Sequence, residues 1–238
     1  AVGSNEEVRK LIGNTTKVID LKGRSLLPGF EDSHAHFIQT ATQYGGLYLS
    51  PETTPSMDVL LGKVEEKVKE KGRGYWIVGG GWDETKMEWR GKWDREYKFP
   101  TKEDLDSVAP ENPVYLFRIC GRVAAFNSAA LWLAGINKDT PQPMGGKIDK
   151  YENGEPTGIT WNLPAMRMVG GKIVLDAFWP SSYDEFKRGV DIVVSHGLTC
   201  VEEAGLLGKR GLDFYENALR DDKLPIRVNI LLDPELLE

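Results

Sequence analysis

The sequence is poor in several features that would mark particular classes of protein. It has 2 cysteines and 3 histidines in 238 residues, and its net charge is −6. Two cysteines do not make a disulfide framework in a chain of this length, so a reducing cytoplasm is the expected compartment. No apolar run approaches the roughly 20 residues of a membrane span, and no charged-then-apolar leader opens the chain. The sequence therefore predicts neither a disulfide-rich secreted domain nor a membrane protein.

The balance of charge argues against a nucleic-acid partner. The 36 acidic residues outnumber the 30 Lys and Arg residues, whereas a phosphate backbone needs a clustered basic face. The charged run 63–71 mixes both signs at helical spacing, which is typical of a solvated helix face. The expected partner is a small-molecule substrate, with no nucleic acid and no membrane, and a homo-oligomer is compatible with the sequence.

Periodic patterns predict alternating helices and strands. A capping box at Ser4 predicts a short helix, and apolar spacing predicts an amphipathic helix over 56–71. The predicted strands are 18–21, 25–27, 30–36, 75–78, 114–119, 198–201 and 226–232, and the other predicted helices are 101–108, 128–134, 183–195 and 212–219. The second half therefore alternates as βαβ units do on a parallel sheet. The Trp-rich stretch 82–100 predicts a long loop, and 137–157 a surface excursion with a hairpin.

His34 and His36 carry the clearest chemical pattern. Because side chains alternate along a strand, residues two apart project from one face. Neutral imidazole is a common ligand of zinc, and the pair lies near the end of a predicted strand, where an α/β barrel places its chemistry. The spacing alone leaves a second interpretation open, in which one histidine is exposed and the other is hydrogen-bonded.

The residues around this pair are more specific than the pair itself. The segment Val18–His36, with Pro28, Gly29 and Phe30 ahead of the histidines, closely resembles the opening segment of the amidohydrolase superfamily. Further segments resemble the branch called amidohydrolase family 3, in the order of that family. They are Gly79–Asp83, Pro100–Asp106, Asn127–Leu131, Gly154–Gly158 and Gly197–Gly205.

The resemblance implies a β-sandwich beside a distorted (β/α)8 barrel with a metal site at its C-terminal face. The expected fold class is then α/β, a partial (β/α)8 TIM-type barrel with a fringe of small β-sandwich strands. Residues 1–28 would be part of the sandwich, and 29–238 the N-terminal part of the barrel with loop insertions. His34 and His36 match the first-strand ligands of one or two divalent ions, with zinc as the expected metal.

Four further residues are candidates for a substrate pocket. Trp82 and Asp83 follow a glycine run, and the family places this loop near the mouth of the site, although packing is an equal alternative for Trp82. Arg122 stands where relatives commonly carry histidine, so it would either favour a carboxylate substrate or be a surface arginine. Glu203 stands where the family has an acidic residue. It would line the pocket or reach the metal region, or else lie on the surface. His196 is expected to be structural, at a helix end.

The expected reaction is hydrolysis of amide or other C–N bonds, not peptides, by metal-activated water. The resemblance implies later ligands, namely a lysine or acidic residue, two histidines and an aspartate, that lie beyond the end of this chain. The chain is therefore expected to be truncated and inactive alone. The alternative is a non-catalytic small-molecule-binding protein on a degenerate barrel. A nucleotide-binding α/β protein is disfavoured because Gly79–Gly81 leads into the Trp-rich stretch instead of a helix.

Overall fold

A computed structural model describes residues 2–171, 179–180, 183–207 and 209–232. The helices are α1 Asn5–Arg9, α2 Phe37–Gly45, α3 Met57–Lys71, α4 Lys102–Asp106, α5 Ser128–Leu133, α6 Asn162–Gly170, α7 Tyr183–Ser195 and α8 Lys209–Arg220, with a 3-10 turn at Gly91–Trp93. The strands are β1 Phe30–Ala35, β2 Leu47–Tyr48, β3 Ile77–Trp82, β4 Val114–Arg118, β5 Val123–Phe126, β6 Lys147–Lys150, β7 Pro156–Trp161, β8 Leu198–Leu207 and β9 Arg227–Leu232.

The first sheet consists of β1, β8 and β9, in that order, and all three strands are parallel. Helices α2 and α7 pack on each other and on β8, and α8 connects β8 to β9. Phe37, Phe186, Val190, Val201 and Tyr215 form the core between this sheet and its helices. The parallel βαβ order expected for the second half is confirmed. The described residues do not close this sheet into a barrel.

The second sheet has six strands in the order β2-β3-β4-β5-β7-β6, parallel from β2 to β4 and antiparallel beyond. One face is covered by a core that includes Leu60, Trp82 and Leu116. Tyr115 and Met166 belong to a separate core on the same sheet. The chain thus leaves the first sheet after β1, builds a complete second sheet, and returns at β8. Sequence patterns predicted strands at 75–78 and 114–119 and a hairpin within 137–157, but assigned this region to the barrel with loop insertions, because strand pairing across a sheet leaves no local signal.

The N-terminal segment agrees with the expectation at its helix and differs at its strands. Ser4 and Glu7 form the predicted capping box, since the Ser4 hydroxyl accepts from the Glu7 N–H and the Glu7 carboxylate accepts from the Ser4 N–H. The strands predicted at 18–21 and 25–27 do not form, and Ile19 and Leu26 are 68% and 80% exposed. A strand needs a partner for its N–H and C=O groups, and the described residues offer none. The assignment of 1–28 to a β-sandwich stays a prediction.

The close packing of α2 on α7 depends on Gly189. A Cβ at Gly189 would lie 2.2 Å from the carbonyl oxygen of Ala41 and 2.3 Å from its Cα. We expect Gly189→Ala to lower the free energy of unfolding by about 1–3 kcal/mol, because the two helix backbones must separate.

The matched control is Gly62→Ala in α3, where a Cβ meets nothing within 4 Å. That change should raise the free energy of unfolding by about 0.5–1 kcal/mol through helix propensity. Urea unfolding measures both, and stabilisation of both variants would contradict the predicted packing.

Candidate metal centre

His34 and His36 lie where β1 ends. His34 is the penultimate residue of the strand, and His36 stands between the strand and α2. The two ring centroids are 5.8 Å apart, the ring planes meet at 84°, and both side chains are exposed. Two imidazoles that share a tetrahedral zinc at about 2.0–2.1 Å place their centroids roughly 5 Å apart. The spacing of this pair therefore fits two ligands of one ion.

An irregularity in β1 contributes to this placement. Asp32 pairs with Val201 and Ala35 with Glu203, so β1 takes three steps where β8 takes two. The extra residue is a bulge, a feature that re-aims side chains. Within it, the Asp32 carboxylate accepts the N–H of His34 at 3.0 Å. Regular strand alternation does not predict this bulge, because register is decided by the neighbouring strand.

Cys200 lies on β8 opposite Glu31 of β1, and its thiol is not arranged as a metal ligand. Its thiol donates to the Glu31 carboxylate at 3.1 Å, and Asn229 Nδ2 lies 3.9 Å from the sulfur. The hydrogen bond to Glu31 raises the pKa of the Cys200 thiol. A metal binds the thiolate, so this environment disfavours ligation by Cys200.

Glu203 lies in the interior of the protein, against the first turn of α2. Its side chain is 1% exposed, so the surface interpretation is wrong. One carboxylate oxygen, Oε2, accepts the backbone N–H of Ile38 at 2.8 Å and the hydroxyl of Tyr215 at 2.9 Å. The carboxylate is thus directed at the first turn of α2, immediately after His36. A role as a pocket residue stays a prediction.

Trp82 and Asp83 belong to the six-stranded sheet. Trp82 is fully buried at the end of β3, where its indole N–H donates to the carbonyl of Leu116 at 3.2 Å. Asp83 accepts from the Thr85 hydroxyl at 2.8 Å and pairs with Arg118 at 2.9 Å. These contacts favour the packing interpretation for Trp82 and give Asp83 a structural partner. A substrate contact by either residue stays a prediction.

Arg122 and His196 are both exposed. Within the part of the chain that the structure describes, the Arg122 guanidinium makes no ion pair, and its carbonyl accepts the Asn162 N–H at 2.7 Å. His196 Nδ1 lies 2.8 Å from the carbonyl of Ile192 at the end of α7, which agrees with a structural role. Cys120 lies in the turn between β4 and β5 and is exposed.

The histidine pair is a partial ligand set. In the described ranges, no group of three or more His, Cys, Asp or Glu side chains is placed to hold a metal ion. A catalytic zinc generally has three protein ligands and a water. The pair would therefore supply two ligands to a site that needs at least one more. Among these same residues, no helix is long and apolar enough to cross a membrane.

Comparisons with known proteins identify the family of this chain. The sequence model of the Amidohydrolase family matches residues 17–238. YtcJ of Bacillus subtilis (strain 168), named as an amidohydrolase, is 34% identical over 243 residues, covering 99% of this chain and 44% of YtcJ. The N-substituted formamide deformylase of Arthrobacter pascens is 28% identical over 232 residues, covering 97% of this chain and 41% of that enzyme.

A solved structure is also similar to this chain. The crystal structure of an uncharacterized metal-dependent hydrolase from Pyrococcus furiosus is similar, with a TM-score of 0.59 and 26% identity, over 98% of this chain and 43% of that one. This chain thus spans less than half the length of the relatives that it matches. The histidine pair, the parallel sheet that carries it and the family match over 17–238 together show that the chain belongs to the amidohydrolase family.

Proposed function

We propose that His34 and His36 are two ligands of a divalent metal, with zinc first among the candidates, in a hydrolase of amide or other C–N bonds outside peptides. The observation that carries the proposal is the pair of rings 5.8 Å apart at the end of β1. Family membership and the similarity to a metal-dependent hydrolase support a metal. The name of the Arthrobacter relative supports a C–N bond as the target.

The same proposal includes the barrel. Strands β1, β8 and β9 are parallel and neighbouring, and α2, α7 and α8 pack against them. Consecutive parallel strands with covering helices are the units of a (β/α)8 barrel, whose sites lie at the carboxyl ends of the strands. We propose that these are three neighbouring strands of such a barrel, which puts the histidines on its catalytic rim.

The residues of this chain would hold and orient the metal. The metal, once bound, would supply a water of pKa about 7 and polarise a substrate carbonyl. His34 and His36 would bind through neutral imidazole nitrogens, so protons compete with the metal for both side chains. The Asp32 carboxylate fixes the backbone of His34 by accepting the His34 N–H. With only two ligands in the pair, the chain by itself should hold the metal weakly and be inactive or nearly so.

The proposal extends to the substrate and the compartment. The partner would be a small molecule with an amide-like bond. Cys120 and Cys200 are both free, which supports a reducing, cytoplasmic location.

Activity is tested on two samples, this chain alone and this chain joined to the part of YtcJ that it does not match. Both are loaded with Zn²⁺, Mn²⁺ or Co²⁺ and assayed for hydrolysis of N-substituted formamides, other amides and peptides. The Arthrobacter deformylase is the positive control for the assay. We expect turnover of non-peptide amides by the joined protein, loss of that turnover in its His34→Ala, His36→Ala double variant, and none by the chain alone.

Two results would contradict the proposal in different ways. Turnover by the chain alone, with stoichiometric metal, would overturn its predicted inactivity. A joined protein that is folded and loaded with metal, yet binds small amides without hydrolysing them, would favour the non-catalytic binding function. Circular dichroism on the joined protein and its double variant shows first that each is folded.

A further inference from the structure

Glu203 connects three elements around the histidine pair. It lies on β8 opposite Ala35, the residue between His34 and His36. Its Oε2 accepts the N–H of Ile38 in the first turn of α2 and the hydroxyl of Tyr215 in α8. A single buried carboxylate oxygen thus joins β8, the start of α2 and α8.

The contact with Ile38 satisfies a group that the helix itself leaves without a partner. The first N–H groups of a helix have no intrahelical acceptor, and negative charge is stabilised at that end. In α2 the acceptor for the Ile38 N–H is Glu203, which lies 165 positions away in the sequence. His36 forms part of the same turn, because its carbonyl accepts the N–H of Thr40 at 2.8 Å. Holding the first turn of α2 therefore holds the backbone of His36.

Tyr215 keeps this arrangement in place. Its ring is 3% exposed and belongs to the core below the three-stranded sheet. Burial and the adjacent Glu203 carboxylate raise the pKa of the Tyr215 hydroxyl, so the hydroxyl stays protonated and remains a donor. The carboxylate oxygen is thus held between a backbone donor and a side-chain donor, both in fixed positions.

We propose that Glu203 is a positioning residue for His36, which it fixes relative to His34 through the first turn of α2. The proposal rests on the proposed function, since it takes His36 to be a metal ligand. It assigns Glu203 neither to the pocket nor to the metal, because the described oxygen is already bound by two donors on the helix side. Partners that orient a ligand in this way affect metal affinity by roughly 10- to 100-fold.

The test uses the fact that the chain has only 3 histidines. Imidazole ¹⁵N-labelled histidine gives signals from His34, His36 and His196, and His196 serves as an internal control. In Glu203→Ala we expect the His36 signals to move or broaden, those of His196 to stay, and the Ile38 amide to exchange about tenfold faster or more. Zn²⁺ affinity should fall by roughly 10- to 100-fold.

Two further variants separate positioning from general destabilisation. Glu203→Gln keeps an acceptor oxygen and should restore most of the His36 signals and of the Ile38 protection. Tyr215→Phe removes the second hydrogen bond but leaves the acceptor of Ile38, so its His36 signals should stay closer to those of the wild-type chain. If Glu203→Ala does not fold, Glu203→Asp carries the same expectation, because it keeps the charge but is one methylene shorter.

The outcomes distinguish this proposal from the proposed function. Wild-type chain without any Zn²⁺ binding would count against the metal site, while the His36 signals and the Ile38 exchange would still decide the role of Glu203. A folded Glu203→Ala or Glu203→Asp variant with unchanged His36 signals, unchanged Ile38 exchange and wild-type Zn²⁺ affinity would overturn the positioning role and leave the metal site intact.

Discussion

His36→Ala is expected to weaken Zn²⁺ binding by about 100-fold or more, and His34→Ala by a similar factor. The reason is that each imidazole is one of only two proposed ligands in the described residues. When one imidazole is removed, no group of three or more ligands there can replace its bond to the metal. Structural zinc sites with four ligands bind with about 10–16 kcal/mol, which corresponds to roughly 2.5–4 kcal/mol for each ligand. Competition with a chromophoric chelator measures the dissociation constants of the wild-type chain and both variants.

The matched control is His196→Ala. His196 is exposed like the pair, but its ring lies 2.8 Å from the Ile192 carbonyl at the end of α7. Its removal should leave Zn²⁺ affinity unchanged. Equal weakening by all three changes would show surface binding by histidines in general, and wild-type affinity in His34→Ala and His36→Ala would place the metal elsewhere.

Arg118→Ala is expected to cost about 3 kcal/mol in the free energy of unfolding, at the lower end of the range for broken buried ion pairs. Arg118 Nε lies 2.7 Å from Glu84 Oε2, and Nη2 lies 2.9 Å from Asp83 Oδ1. The side chains of Arg118, Asp83 and Glu84 are 18%, 15% and 15% exposed. Without the guanidinium, two neighbouring and mostly buried carboxylates would lose the cation that donates hydrogen bonds to both of them.

An exposed ion pair provides the control for Arg118. Lys187 and Asp191 pair on the surface of α7, with side chains 66% and 58% exposed. Lys187→Ala should cost no more than about 0.5 kcal/mol, because water screens that pair. Chemical unfolding at pH 7 compares the two variants, and losses of similar size would show that the Arg118 cluster behaves as a surface pair.

The Arg118 cluster also predicts an acid dependence. Burial by itself raises the pKa of Asp83, but hydrogen bonds from Thr85 and the charge of Arg118 outweigh burial, and the pKa of Asp83 lies below its usual value. A carboxyl group with a lowered folded-state pKa stabilises the protein above its unfolded pKa and loses that contribution as the pH falls. Stability should therefore decline on acidification, and Arg118→Ala should make this decline shallower.

Local chemistry accounts for the elements that sequence patterns predicted correctly. The caps at Ser4, Ser56 and Thr101 lie within three residues of the groups that they bind, and α1, α3 and α4 each begin at the next residue. Helix hydrogen bonds are equally local. The strand at 226–232 was predicted from its apolar run and forms as Arg227–Leu232.

Elements that depend on distant partners were not predictable in the same way. Trp82 was expected to open a loop, yet it ends a strand, because β2 and β4 supply hydrogen-bond partners for β3. The segment 18–21 has strand composition but no described partner, and it stays irregular. Pairing between strands is a property of the whole fold, and composition alone does not choose the partner.

The sequence by itself determined the family and the first two candidate ligands, His34 and His36, because a short run of residues with fixed spacing carries both. Only the tertiary structure decided how these ligands are held. The bulge in β1 is set by the register of β8, and Glu203 reaches Ile38 across 165 positions of sequence. A hydrogen bond between such residues depends on how the three-stranded sheet and its helices pack, and that packing has no signature in the sequence around either partner.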